Sequence, residues 1–164
     1  MRVRQGNVRD WPFIYALGKI GIPDSISPWR KQPMEVTLKY REEFLRGFWT
    51  WIQQSESEVF IVEVPEQEGR TCSAQPIGYL VLHGTAREEL TGISQGWIMD
   101  IAVLPKWRGK GAGRMLLNAA EDYCHEHGIP YLGLAVSSHN VNALRLYEKF
   151  GFAEERKLLV KSFE

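Results

Sequence analysis

A chain of 164 residues with 44% hydrophobic and 24% charged side chains has the size and balance of one globular domain, here residues 1–164, with a buried core. Its twenty basic and twenty acidic side chains cancel, so no global charge draws it toward nucleic acid or an anionic membrane. No apolar run approaches the ~18 residues of a membrane span, and the N-terminal MRVRQGNVRDW lacks a signal peptide's apolar centre, so a cytoplasmic location is expected.

Residues 1–5 read as a possible opening strand. Asp10 is placed to cap a helix over residues 11–20, with Pro12 in its first turn and Gly21 closing it. Pro23, Pro28 and Pro33 make residues 21–35 an irregular loop. Apolar side chains then recur at helical spacing over residues 36–54, with Tyr40, Phe44, Phe48, Trp51 and Ile52 as the expected buried face. Four of the six tryptophans precede residue 52, and packing accounts for the Trp49 and Trp51 pair better than a ligand box does.

Strands are expected over residues 59–64 and 77–82, separated by a polar surface loop at 65–76. A polar connection at 84–95 leads to residues 96–104, whose nearly continuous apolar run suits a strand covered on both faces. A helix follows over 114–127, stopped by Gly128 and Pro130. A further buried strand is expected over 131–136 and a short helix over 140–150, ended by Gly151. Residues 153–163, with Leu158, Leu159 and Val160, read as the last part of the sheet. Strand, glycine-rich turn, helix and strand over residues 97–136 form a right-handed crossover joining parallel strands.

The turn in that crossover is Arg108-Gly109-Lys110-Gly111-Ala112-Gly113, followed by Arg114. Three glycines let backbone N–H groups approach an anion closely, and the helix that starts there adds positive potential. A Walker loop requires Ser or Thr after its Gly-Lys pair, but Gly111 follows Lys110 here. The dinucleotide fingerprint requires a third glycine where Arg114 stands. Glycines that merely tighten a strand-to-helix turn are the other reading of the segment.

Val103-Leu104-Pro105 followed by Arg108-x-x-Gly111-x-Gly113 resembles the acetyl-CoA signature of the GCN5-related N-acetyltransferases (GNAT). Asn140-x-x-Ala143-x-x-Leu146-Tyr147-Glu148-Lys149-x-Gly151-Phe152 is similar to that family's second block, in the family's order. The resemblance implies a mixed α/β fold of six or seven strands, split by a V-shaped opening, with helices on both faces. It implies acetyl-CoA as acyl donor, an amine as acceptor, and no metal.

By the same resemblance, Arg108, Gly109, Lys110, Gly111, Ala112, Gly113 and Arg114 hold the pyrophosphate. Ile101, Ala102 and Val103 pair with the pantetheine arm, and an N–H near Val103 polarises the thioester carbonyl. Asn140 and Ala143 line the arm, although Asn140 equally suits a plain helix cap. Tyr147 matches the position that donates to the leaving sulfur, and its spacing with Ala143, Leu146 and Phe150 also fits a core aromatic. Dimers are common in the family.

Asp100 is the single charge in the apolar strand. It has three readings: a base for the amine, an anchor for a cationic acceptor, or half of a structural ion pair. Strand alternation sets it on the face opposite Val103 unless a bulge intervenes. Glu58 and Glu63 are lesser base candidates. A small cationic amine is favoured as acceptor over a protein N-terminus or lysine, and the acceptor is expected to contact residues 21–35, 36–54 and the final hairpin. A non-catalytic acyl-CoA-binding module is the alternative from another class. Cys72 and Cys124 are expected as free thiols. Cys124, His125 and His127 lack the second ligand pair of a zinc site, and His83 and His139 lack a hydrolase's nucleophile.

Overall fold

A computed structural model describes residues 1–65 and 74–163; Cys72 and most of the expected 65–76 loop lie outside them. The order is β1 (Arg2–Gln5), a 3-10 turn (Val8–Asp10), α1 (Trp11–Ile20), α2 (Ile22–Ser25), α3 (Met34–Gln54), β2 (Ser57–Val64), β3 (Gln75–Arg87), β4 (Ser94–Val103), a second 3-10 turn (Pro105–Trp107), α4 (Ala112–Glu126), β5 (Leu132–Leu134) and α5 (Val141–Phe150). The sheet runs β1-β2-β3-β4-β5. Its first three pairings are antiparallel and β4 with β5 is parallel, as the crossover requires.

Alternation along β2 and β3 feeds two cores. Val62, Ile77, Leu80, Leu82 and Ile98 pack beneath Leu116, Leu117 and Ala120 of α4. On the other face Ile61, Tyr79 and Val81 meet Ile14 and Leu17 of α1 and Leu45, Phe48 and Ile52 of α3. Helices thus cover both faces of an α/β sheet.

Four expectations are corrected. The sheet has five strands among the described residues rather than six or seven. Residues 153–163 form no strand, and Leu158, Leu159 and Val160 are exposed. The 21–35 loop contains the short helix α2, which buries Ile22. The buried stripe of α3 is Leu45, Phe48 and Ile52, whereas Tyr40 and Phe44 face outward. Spacings of three and four fit both phases of that helix, and contact with α1 and the sheet selects one.

Asp10 precedes α1 but makes no side-chain cap to it. Its carboxylate accepts from Asn7 N at 2.8 Å and from both terminal nitrogens of Arg4.

Candidate active site

β4 and β5 pair only at Gly96 with Leu132, Trp97 with Gly133 and Ile98 with Leu134. Beyond Ile98 the two strands part, while β4 stays paired with β3 as far as Val103 opposite Gly78. Leu104 N donates to Ile77 O at 2.8 Å. In an antiparallel ladder, N–H groups alternate between the two sides of a strand. Those of Ile101 and Val103 therefore point away from β3 into the opening.

A register shift between Val81/Asp100 and Leu82/Ile98 leaves Met99 as an extra residue in β4. This bulge reverses the alternation of side chains. Ile98, Ile101 and Val103 share the α4 face, while Asp100 and Ala102 lie on the α1/α3 face. Asp100 is thus opposite Val103, as alternation alone predicts, because the bulge falls before it.

The glycine turn closes one end of the opening. Gly109 and Gly111 have φ of +73° and +89°, and a Cβ on either would meet nothing within 4 Å. That is left-handed backbone beside open space. Gly111 caps α4 without a side-chain bond, and the first intrahelical bond runs from Met115 N to Gly111 O at 3.0 Å. The N–H groups of Ala112, Gly113 and Arg114 are left at the helix's positive end. Gly113 serves packing instead: its Cβ would lie 3.2 Å from Leu146 of α5. Arg108 Nε donates to Val103 O at 3.2 Å, tying the turn to the strand edge, and Lys110 Nζ lies 5.0 Å from the Trp107 ring centroid. Backbone donors, positive potential and an unpaired strand edge together fit a long ligand with an anionic diphosphate end.

α5 supplies the opposite wall. Asn140 Oδ1 accepts from Ala143 N at 3.2 Å, so Asn140 is a helix cap. Tyr147, 9% exposed, packs its ring edge-on to Phe152 at 5.7 Å. Its hydroxyl makes no hydrogen bond among the described residues. Burial, with the nearby charge of Asp100 adding to it, pushes its pKa up to about 12. The phenol therefore stays protonated at neutral pH, a donor with nothing to donate to among the described residues.

Asp100 has partners that the sequence reading lacked. Its Oδ2 accepts from Arg41 Nη2 at 2.6 Å and from the hydroxyl of buried Tyr79 at 3.1 Å. Burial and then the Asp100 charge hold the Tyr79 phenol well above its usual pKa. The Arg41 guanidinium lies 5.1 Å from the Phe44 ring centroid, and its Nε is buried with no hydrogen-bond partner among the described residues. A signal for Arg41 existed: it occupies the inward stripe Arg41, Leu45, Phe48, Ile52, where a cation requires an acid across the interface.

Glu58 and Glu63 lie away from the opening. Glu63 is buried between Arg2 and Arg4, and Glu58 accepts from Gln5 Nε2. Cys124 is buried in the α4 core, where burial raises its thiol pKa. His127 stacks on Tyr123 at 4.0 Å. Among the described residues no helix is long and apolar enough to cross a membrane.

A model of the acetyltransferase (GNAT) family matches residues 22–152. Streptothricin acetyltransferase of Streptomyces lavendulae is 45% identical over 56 residues, 34% of this chain and 30% of that protein, so the match spans about a third of the relative. A putative acetyl transferase from Pyrococcus furiosus superposes with a TM-score of 0.74 at 22% identity over 98% of both chains. AAC(6')-Iy, solved with the bisubstrate analog CoA-S-monomethyl-acetylneamine, gives 0.62 at 21% identity over 98% of this chain and 96% of that one. The likeness to both structures is one of fold. With its family model covering most of the residues that build the opening, the chain belongs to the GNAT family of acetyltransferases, which uses acetyl-CoA.

Proposed function

We propose that residues 1–164 act as one N-acetyltransferase domain that moves an acetyl group from acetyl-CoA to a primary amine. The observation that carries this reading is the parting of β4 from β5, which leaves the Val103 N–H facing an opening beside the uncapped start of α4. The backbone of residues 108–114, with Arg108, Lys110 and Arg114, holds the diphosphate. The edge at Ile101, Ala102 and Val103 takes the pantetheine amides as a strand would, with Asn140 and Ala143 on the far side.

Bound acetyl-CoA supplies an activated acyl group on a sulfur leaving group. The Val103 N–H then donates to the acyl oxygen as negative charge develops there. The Tyr147 hydroxyl donates to the departing sulfur, and its raised pKa suits a hydrogen-bond donor that remains neutral throughout. Asp100, already paired with Arg41, acts as a fixed negative pole for an acceptor ammonium at its Oδ1, while the amine loses its proton to solvent. A singly charged primary amine suits this half-neutralised acid, and a small molecule of that kind remains the preferred acceptor over a protein N-terminus or lysine.

The test is thiol release from acetyl-CoA with a panel of amines. At least one amine is expected to raise release well above hydrolysis, in a manner dependent on Tyr147. Binding of coenzyme A without stimulation by any amine would overturn the catalytic reading in favour of a non-catalytic acyl-CoA-binding module.

A further inference from the structure

Beside the opening, the face of the sheet that carries α1 and α3 holds an indole that neither core absorbs. A Cβ on Gly96 would lie 2.6 Å from Cys124 Sγ, so Gly96 faces α4 and alternation turns Trp97 to the α1/α3 side. Trp97 is half-buried and packs in neither hydrophobic core. Its ring lies over β5 instead, where a Cβ on Gly133 would fall 2.8 Å from two ring carbons. Glycine at that position makes room for the ring. The bulge at Met99 then makes Asp100 the next side chain on the same face, at the point where β4 and β5 part.

α3 contributes a wall of rings. Trp51 stands edge-on at 5.3 Å to His83, the cross-strand partner of Trp97. Phe48 stacks on Trp51 at 5.7 Å and Phe44 on Phe48 at 5.6 Å, so three rings run in line along the helix. Helical spacing puts Phe44 and Trp51 on the side of α3 opposite Trp49, which stacks on Trp11 of α1. Phe44 therefore faces the strip of sheet holding His83 and Asp100 rather than α1. It is 43% exposed, and the Arg41 guanidinium that holds Asp100 lies against its ring. Phe44 and Trp97 are thus each one neighbour away from Asp100, the first through Arg41 and the second along β4.

We propose that the acceptor is an arylalkylamine: its ammonium rests at Asp100 Oδ1, and a planar apolar ring a short chain away lies against Trp97 and Phe44. This assignment deepens the acetyltransferase reading and rests on it. Arg41 opposes a second positive charge on the acceptor, so affinity beyond one ammonium comes from apolar contact. Exposed aromatic surface beside a partly buried charge supplies that contact, and rings pair well with rings in offset or edge-on geometry. The chemistry balances as a plain transfer: the neutral nitrogen takes the acetyl group, the carbon–sulfur bond breaks, and coenzyme A leaves as its thiol. The amide product carries no charge for Asp100 to hold.

The test compares phenethylamine with propylamine, which carry the same charge, by kcat/KM with acetyl-CoA and by Kd for the protein saturated with coenzyme A. Wild type, Phe44→Leu and Trp97→Leu are measured, with cooperative thermal unfolding as the check on folding. The wild type is expected to favour phenethylamine about ten-fold or more in both measures, the order expected for burying part of a ring. Each folded variant is expected to lower that preference about five-fold. Should Trp97→Leu fail to unfold cooperatively, Phe44→Leu, at an exposed position, decides. Equal constants for the two amines, or a preference unaltered in folded Phe44→Leu, overturn the proposal while acetyl transfer to either amine keeps the acetyltransferase reading. Ring-dependent binding without transfer to any amine upholds the ligand class and overturns that reading instead. Neither binding nor transfer with both amines overturns the proposal.

Discussion

Arg41 Nη2 donates to Asp100 Oδ2 across 2.6 Å, a bond that joins α3 to the bulged strand at the mouth of the β4/β5 opening. It divides the possible roles of Asp100. An acid sharing one oxygen with a guanidinium and a phenol is a held anion, with Oδ1 alone left for a substrate. If Asp100 holds the acceptor as proposed, the guanidinium beside it opposes any second positive charge there. Arg41→Ala removes that opposition, and the KM for a diamine is expected to fall about five-fold, the equivalent of roughly 1 kcal/mol for a partly exposed charge. The KM for a monoamine is expected to move less. Equal KM values for the diamine in wild type and variant would remove Asp100 from the acceptor site.

Tyr147→Phe separates packing from proton donation. The ring stays against Phe152, and the lost hydroxyl has no hydrogen-bond partner among the described residues, so stability and coenzyme A affinity are expected to change little. Turnover is expected to fall about 100-fold, the lower end for loss of a positioned proton donor. The raised pKa adds a stability signature. A phenol held neutral to about 12 in the fold titrates near 10 once unfolded, so the protection is complete below pH 10 and is lost between about pH 10 and 12. Alkaline unfolding of Tyr147→Phe is therefore expected to be shallower than that of the wild type over that interval, as followed by circular dichroism.

Gly111→Glu tests the turn. At φ +89° any side chain strains the backbone by about 1–2 kcal/mol, although a Cβ meets no neighbour. The carboxylate, by contrast, would stand at the positive end of α4 where a diphosphate is proposed to sit. The expected result is loss of measurable coenzyme A binding by calorimetry with only a few degrees' fall in Tm. Retained affinity would remove the turn from the binding site.

The glycine turn and the capped α5 are legible in sequence because each rests on a local rule, whereas the parting of the strands is implied only by the family resemblance. Positive φ selects glycine, N-caps select Asn, and a fully covered strand is apolar throughout. The Arg41–Asp100–Tyr79 cluster is not legible in the same way. Its members come from three elements, and the phase of α3 that brings Arg41 inward differs from the expected one by a single residue. Phe44 and Tyr40 have the apolar character of core residues but lie on the outer side of that phase. The bulge at Met99 leaves no trace in composition, though it fixes which face Asp100 occupies. The final segment has a strand's sequence but no strand pairing among the described residues, and its Arg156 is paired with Glu88 and Glu89.

The other end of the sheet carries a second prediction about pH. Arg4 donates to both Asp10 and Glu63, and Arg2 donates to Glu63 as well. For Asp10 the bonds from Arg4 outweigh burial and hold the carboxyl below its usual range. For Glu63 burial pulls the other way, yet the bonds from Arg4 and Arg2 still leave it lowered. Folded values below unfolded ones mean stability that is present above about pH 4 and is lost as pH falls through the folded values. Glu63→Gln leaves Arg2 without its carboxylate and Arg4 with Asp10 alone, at a site where the Glu63 carboxylate is only 3% exposed. Removing one partner of a buried pair costs about 3–5 kcal/mol when the survivor is left uncompensated; because Arg4 keeps Asp10 and Arg2 is exposed, the expected loss is about 1.5–3 kcal/mol, that of hydrogen bonds to a charged group. That loss is expected at neutral pH and should shrink toward pH 2, where the wild-type carboxyl is itself protonated. Denaturant unfolding at both pH values measures it, and a penalty that stays constant with pH would show that Glu63 contributes packing rather than charge.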